Sequence, residues 1–146
     1  GTGITFPATQ SASSDANTLD DYEEGTWTPS LKFGGNSVGM TGTFTGNYTK
    51  IGNTVNVQVR VVLTNKGSST GNATIEGLPF TSSTYPAAIV DPSNDFVGLV
   101  TGGATYVGLG GTSAYFLQQS TTARTNMTQA NFGNAADMRF TVTYIV

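Results

Sequence analysis

Two stretches of strict alternation constrain this fold more than anything else in the sequence. Across residues 54–64, Val55, Val57, Val59, Val61 and Leu63 fall on one side of an extended chain, and Asn56, Gln58 and Arg60 fall on the other. Near the C-terminus Met138, Phe140, Val142, Tyr144 and Val146 alternate with Arg139, Thr141 and Thr143. A period of two marks a strand with one buried and one wet face, whereas a helix would scatter these apolar residues around its circumference. Shorter runs repeat the signal at 26–33, 43–51, 73–78, 87–90, 96–101, 105–109 and 114–118. Turn chemistry separates them: Gly34-Gly35-Asn36, Gly52-Asn53, Gly102-Gly103 and Gly110-Gly111. Pro29 marks the first run as an edge strand, because proline has no N–H to offer a second neighbour. Residues 119–136 read as loop, and the closing strand is expected to belong to the core sheet rather than to a tail.

Composition points the same way. Charged residues make up 10% of the chain, against about a quarter in ordinary domains. Thr, Ser, Asn and Gly take their place, and the helix-favouring Lys and Glu are scarce. The sequence therefore predicts an all-β domain at 26–146, an antiparallel β-sandwich or jelly roll, preceded by an extended arm or linker at 1–25. The arm has no period and few apolar anchors (Ile4, Phe6, Leu19, Tyr22). A short helical turn is anticipated at 18–24, capped by Thr18 with Asp21 at the third position. The start at Gly1, without methionine, suggests a piece of something longer.

Several functions are set aside by what is missing. There is no cysteine and no histidine, so thiol chemistry, the commonest zinc ligands and the usual triad base are absent. The net charge is -3, and Lys32, Lys50, Arg60, Lys66, Arg124 and Arg139 are scattered along the chain. Neither nucleic-acid binding nor membrane insertion is expected from that pattern, and no apolar run is long enough to cross a bilayer. Asp20, Asp21, Glu23 and Glu24 cluster in an exposed-looking arm, which cannot hold the raised-pKa acid a glycosidase needs. Glu76, Asp91, Asp95 and Asp137 stand alone in sequence. No catalytic residue, metal ligand or cofactor is assigned, and the chain is read as a non-enzyme. Gly108-Leu109-Gly110-Gly111 lacks the third glycine of a dinucleotide fingerprint, since position 113 is Ser, and no helix follows it.

Four segments carry a family resemblance: Ile4–Gln10 with Thr18–Pro29 (TLDDYEEGTWTP), Gly46–Asn53 (GNYTKIGN), Gly77–Phe80 (GLPF), and Asn131-Phe132 with the closing strand. Together they resemble the C-terminal distal domain of bacteriophage tail fibre and tailspike proteins, over nearly the whole chain. The match is weak from about residue 85 to 119. The resemblance implies a β-rich homotrimeric module at the virion tip, joined to the rest of the fibre, with host-surface recognition as its duty. It supplies no catalytic motif and names no sugar.

A surface of hydroxyls and amides suits a host cell-surface glycan, which is bound by flat aromatics with short polar partners. Tyr106 and Tyr115, in the weakly matching middle, are the candidate stacking residues, with Asn94, Asp95 and Gln118 as hydrogen-bonding partners. Trp27, Tyr22 and Tyr144 are assigned to structure or interface, Trp27 packing the arm on the sandwich. The alternative is a purely structural trimerisation cap; a glycan hydrolase ranks last.

Overall fold

The computed structural model describes residues 3–11, 13–15, 17–99, 105–119 and 122–146, with only the backbone of 105–107 and 109. The described residues are all-β, in two antiparallel sheets. The first sheet runs β1 (Tyr22–Trp27), β3 (Thr41–Ile51), β4 (Thr54–Asn65), β10 (Phe132–Ile145). The second runs β2 (Ser30–Phe33), β5 (Ala73–Glu76), β8 (Ser113–Gln119), β7 (Thr105–Gly110), with β9 (Arg124–Asn126) also on β8. One strand serves both: in β6 (Ala87–Phe96), Ala87, Ala88 and Ile89 pair with β7, and the ladder from Val90 to Phe96 pairs with β10.

Both alternating runs turn their apolar side inward. Val55, Val57, Val59, Val61 and Leu63 of β4 are buried, as are Met138, Phe140, Val142 and Tyr144 of β10. Leu31 and Phe33 of β2, Ile75 of β5 and Phe116 of β8 meet them from the second sheet. Each such side chain contributes roughly 1.5–3 kcal/mol by leaving water. Phe132 is the hub between sheets: its ring centroid lies 4.9 Å from Phe96, 5.2 Å from Phe33 and 6.1 Å from Phe116. Val146, expected to share the buried face, lies beyond β10 and is exposed, its N–H donating to the Asn53 carbonyl at 2.9 Å.

Several local expectations differ from the structure. The run at 26–33 is two strands, not one: β1 ends at Trp27, Thr28-Pro29 forms a corner, and β2 begins at Ser30 in the other sheet. The edge expectation does hold, because β1 and β2 are the two ends of the strand order. No helical turn forms at 18–24; Glu23 and Glu24 pair with Lys50 and Thr49 of β3, so tertiary pairing overrides the local cap signal. β1 thus starts at Tyr22, ahead of the arm boundary expected after Gly25. The runs at 87–90 and 96–101 join as β6 up to Phe96; residues 100 and 101 and the Gly102-Gly103 turn lie outside the described residues. Pro92 is tolerated inside β6 because it meets Met138 where the register with β10 shifts. Finally, 119–136 contains β9, a turn of 3-10 helix at Gln129–Asn131, and the start of β10. That turn is closed by a reciprocal cap between Thr128 and Asn131.

The β1–β3 ladder explains two glycines. Gly25 stands opposite Tyr48, and Trp27 opposite Gly46. A Cβ on Gly46 would lie 2.4 Å from the Trp27 indole nitrogen, and one on Gly25 would lie 2.9 Å from the Tyr48 ring. Each ring covers the bare backbone across from it, the arrangement by which aromatics stabilise glycine in sheets. At the end of β3 Lys50 is buried and ion-paired with the buried Asp21. The Lys50 ammonium stands 5.6 Å from the centre of the Phe80 ring. Phe80 packs edge-on against Tyr48 at 5.4 Å, and its carbonyl accepts the Tyr144 hydroxyl at 3.0 Å. The Asp21 carbonyl accepts the Gly52 N–H at 2.9 Å.

Asp21→Asn, leaving Lys50 buried and uncompensated, is expected to cost about 3–5 kcal/mol in denaturant unfolding. The double change Asp21→Leu, Lys50→Met should cost much less; equal losses would show the charges to be incidental. Gly46→Ala should displace the indole, costing about 1–3 kcal/mol. Because Trp27 is the sole tryptophan, its emission should move to longer wavelength in that variant.

Candidate functional site

The β7–β8 hairpin is poor in side chains on its outer face. Gly108 stands opposite Tyr115, and Gly110 precedes the turn at Gly111, whose φ of 62° suits glycine. A Cβ on Gly110 would touch both Tyr115 (3.4 Å) and Tyr85 (3.8 Å). The missing side chain is what lets two tyrosines share one place. Tyr85 is 88% exposed and Tyr115 47%, unusual for large rings that packing alone could have buried. With Gly108, Gly111, Leu117 and Asn126 they line an open cleft of about 500 Å³. Asn126 of β9 faces Leu117 of β8 across the ladder and adds an amide beside the rings. The cleft pairs flat apolar surface with phenol and amide groups, which is what a neutral sugar ring requires.

Of the expected binding residues, Tyr115 alone is seen to line this cleft. Tyr106 stands opposite Leu117 in backbone register, and its side chain lies outside the described residues. Asn94 and Asp95 are committed to the β6–β10 junction. The Asn94 amide donates to the Ala135 carbonyl at 3.0 Å, and the Asp95 carboxylate accepts the Ala135 N–H at 2.7 Å. Asp95 adopts φ 55°, and its carboxylate sits over Gly133, so the pair braces a register shift. Gln118 shares the face of Ala114 and Phe116, and its buried carbonyl oxygen has no partner among the described residues. Tyr85 and Asn126 were not selected from sequence. Asn126 fell in a stretch read as loop, and only the glycine gap at 110 connects Tyr85 with Tyr115.

The three residues assigned to structure have local partners. Trp27 packs on Gly46 and the core. The Tyr22 hydroxyl donates to Glu24 at 2.8 Å, which raises its pKa, and its ring lies 5.9 Å from that of Phe6. Tyr144 is buried, and burial pushes its pKa up to about 12 despite the bond to the Phe80 carbonyl.

The carboxylates are largely occupied. Asp137 accepts Arg60 at 3.2 and 2.7 Å, which lowers its pKa, and the Ser13 N–H lowers that of Asp20. Asp91 pairs with Arg139 at 3.1 Å and Glu76 with Lys32 at 3.5 Å. Among the described residues no group of three or more acidic side chains is placed to hold a metal ion. No protein family's sequence profile matches the chain, and no curated protein or solved structure is significantly similar to it.

Tyr144 gives a pH signature. Folding keeps its proton on above the ordinary value of 10.0, so below pH 10 both states are protonated and nothing is lost. Between pH 10 and about 12 the unfolded chain ionises first, and stability falls. Melting curves from pH 9 to 12 should show a steeper decline for wild type than for Tyr144→Phe; identical slopes would contradict the assignment.

Proposed function

We propose that this chain is the distal domain of a bacteriophage tail fibre or tailspike. In this reading it sits at the virion tip, trimerises on the rest of the fibre, and binds host-surface carbohydrate without cleaving it. The observation that carries the reading is the glycine-floored cleft in which Tyr85 and Tyr115 stay exposed beside Asn126. Supporting it, segments that resemble tail fibre domains supply one contiguous cluster: Asp21, Lys50 with Tyr48, Phe80, and Tyr144 of the closing strand. A recurrent set of segments is reasonable where side chains distant in sequence must meet. Absence of cleavage is supported by the engagement of Asp95 in a backbone bond and of Asp137 in a two-bonded ion pair.

The reading includes a jelly-roll winding and an N-terminal arm. Pairings between strands far apart in sequence, β4 with β10 and β5 with β8, support the first. The Phe6–Tyr22 ring contact supports the second. A purely structural trimer cap is the second reading, favoured by apolar side chains left in water: Ile89 is 70% exposed and Val97 58%. Sister subunits would cover them.

Light scattering should give three times the 15.1 kDa chain mass. On an array of bacterial surface oligosaccharides the trimer should bind, and Tyr115→Ala or Tyr85→Ala should weaken binding at least about tenfold, a loss of ~1.4 kcal/mol per site. Trimeric mass with no glycan bound would favour the cap, and a mass near 15.1 kDa would exclude both trimeric readings.

A further inference from the structure

The outer face of the first sheet holds a second cleft, of about 450 Å³, in which two cross-strand rows run side by side. In one row Thr45, Arg60, Arg139 and Asp91 stand directly opposite one another on β3, β4, β10 and β6. In the next are Asn47, Gln58 and Thr141. Ile89 borders the cleft.

Arg60 facing Arg139 needs an explanation. Like charges directly opposite on neighbouring strands are destabilising, and threonine or asparagine would serve a merely solvated face. Each guanidinium is countered from the side, but incompletely. Asp137 accepts Nε and one terminal nitrogen of Arg60 in hydrogen bonds, whereas Asp91 pairs with Arg139 as an ion pair whose nearest approach is to Nε at 3.1 Å. Among the described residues, one terminal nitrogen of Arg60 and both of Arg139 make no hydrogen bond and face the cleft's solvent. Both side chains are half exposed, 55% for Arg60 and 54% for Arg139. Meanwhile Lys50 is buried in its ion pair, Lys66 donates to the carbonyls of Gln129 and Phe132, and Lys32 pairs with Glu76. Two of the six basic residues of an acidic chain therefore converge on one polar cleft.

We infer that this cleft is a second saccharide site, selective for sugars bearing a carboxylate, either uronic or nonulosonic acids. The free guanidinium edge of Arg139 matches a carboxylate as a planar fork. Asn47, Gln58, Thr45 and Thr141 provide amides and hydroxyls for the ring hydroxyls, and Ile89 provides an apolar contact for C–H groups. Asp91 is 59% exposed, so its pairing with Arg139 contributes little and yields readily to an incoming carboxylate. The inference shares with the proposed function the premise that saccharides are the ligands, but it uses a different face and different residues from the tyrosine cleft.

Titration calorimetry of the intact chain with tetragalacturonate, its methyl ester and α2,8-linked trisialic acid tests the site. At least one acid should bind, and the arm that binds identifies the acid class. If tetragalacturonate is the acid that binds, its ester should be weaker by about tenfold or more. Arg139→Gln should weaken the acid comparably, with melting temperature unchanged because only an exposed ion pair is lost. Asp91→Asn, which removes the competing carboxylate, should tighten acid binding, an effect that a structural role would not produce. Tyr115→Ala should leave acid binding intact while weakening that of neutral glycans, so failure of either site is visible separately. Ester binding equal to acid, full affinity in Arg139→Gln, or no saturation by either acid at ~10 mM would overturn the inference.

Discussion

The buried pairing of Lys50 with Asp21 is the contact on which much of the molecule depends. Removing two charges from water is costly, and their attraction compensates only when both are held in place. Here the ammonium has the Phe80 ring beside it as well, and Phe80 is in turn held by Tyr48 and by the Tyr144 hydroxyl. Four separate stretches of chain must arrive together for the charges to be tolerated. Such a cluster adds less to stability than apolar residues of similar size could, but it penalises partial or shifted assembly. With Asp21 fixed, β1 is aligned on β3, Trp27 falls on Gly46, and the chain is aimed at the corner that starts the other sheet.

That corner and β6 are two of the places where the backbone passes between sheets. β6 does so within one strand, pairing first with β7 and then with β10; Thr28-Pro29 does so between the two edge strands. Joined at both sides, the inner faces enclose the phenylalanine core and leave two outer faces of different character. The second sheet presents glycine and tyrosine, and the first presents amides, hydroxyls and arginines. Side chains on these faces can vary without disturbing the packing beneath, because alternate residues of each strand face opposite ways.

What the sequence made legible was periodic. The valines of β4 and the apolar residues of β10 are buried because a strand with one dry face has only one way to orient. What it hid was set by distant partners. Glu23 and Glu24 are strand residues only because β3 lies beside them. Pro92 lies inside β6 only because β10 changes register there, and that change also claimed Asn94 and Asp95, which resemble free turn residues in isolation. Tyr115 could be chosen from its neighbourhood. Its pairing with Tyr85 could not, since that relation passes through an atom that is missing at Gly110.

The ends of the sheet body meet at one turn. The Gly52 N–H donates to the Asp21 carbonyl, and the carbonyl of the following residue, Asn53, receives the Val146 N–H, each at 2.9 Å. Backbone groups of two adjacent residues therefore tether both, bringing the backbone ends to within on the order of 10 Å. A short bridge suffices to close the body into a ring, and the ring can be reopened at another exposed loop with each ladder kept. Chain order and architecture are thus separable here, and the same scaffold is open to circular permutation.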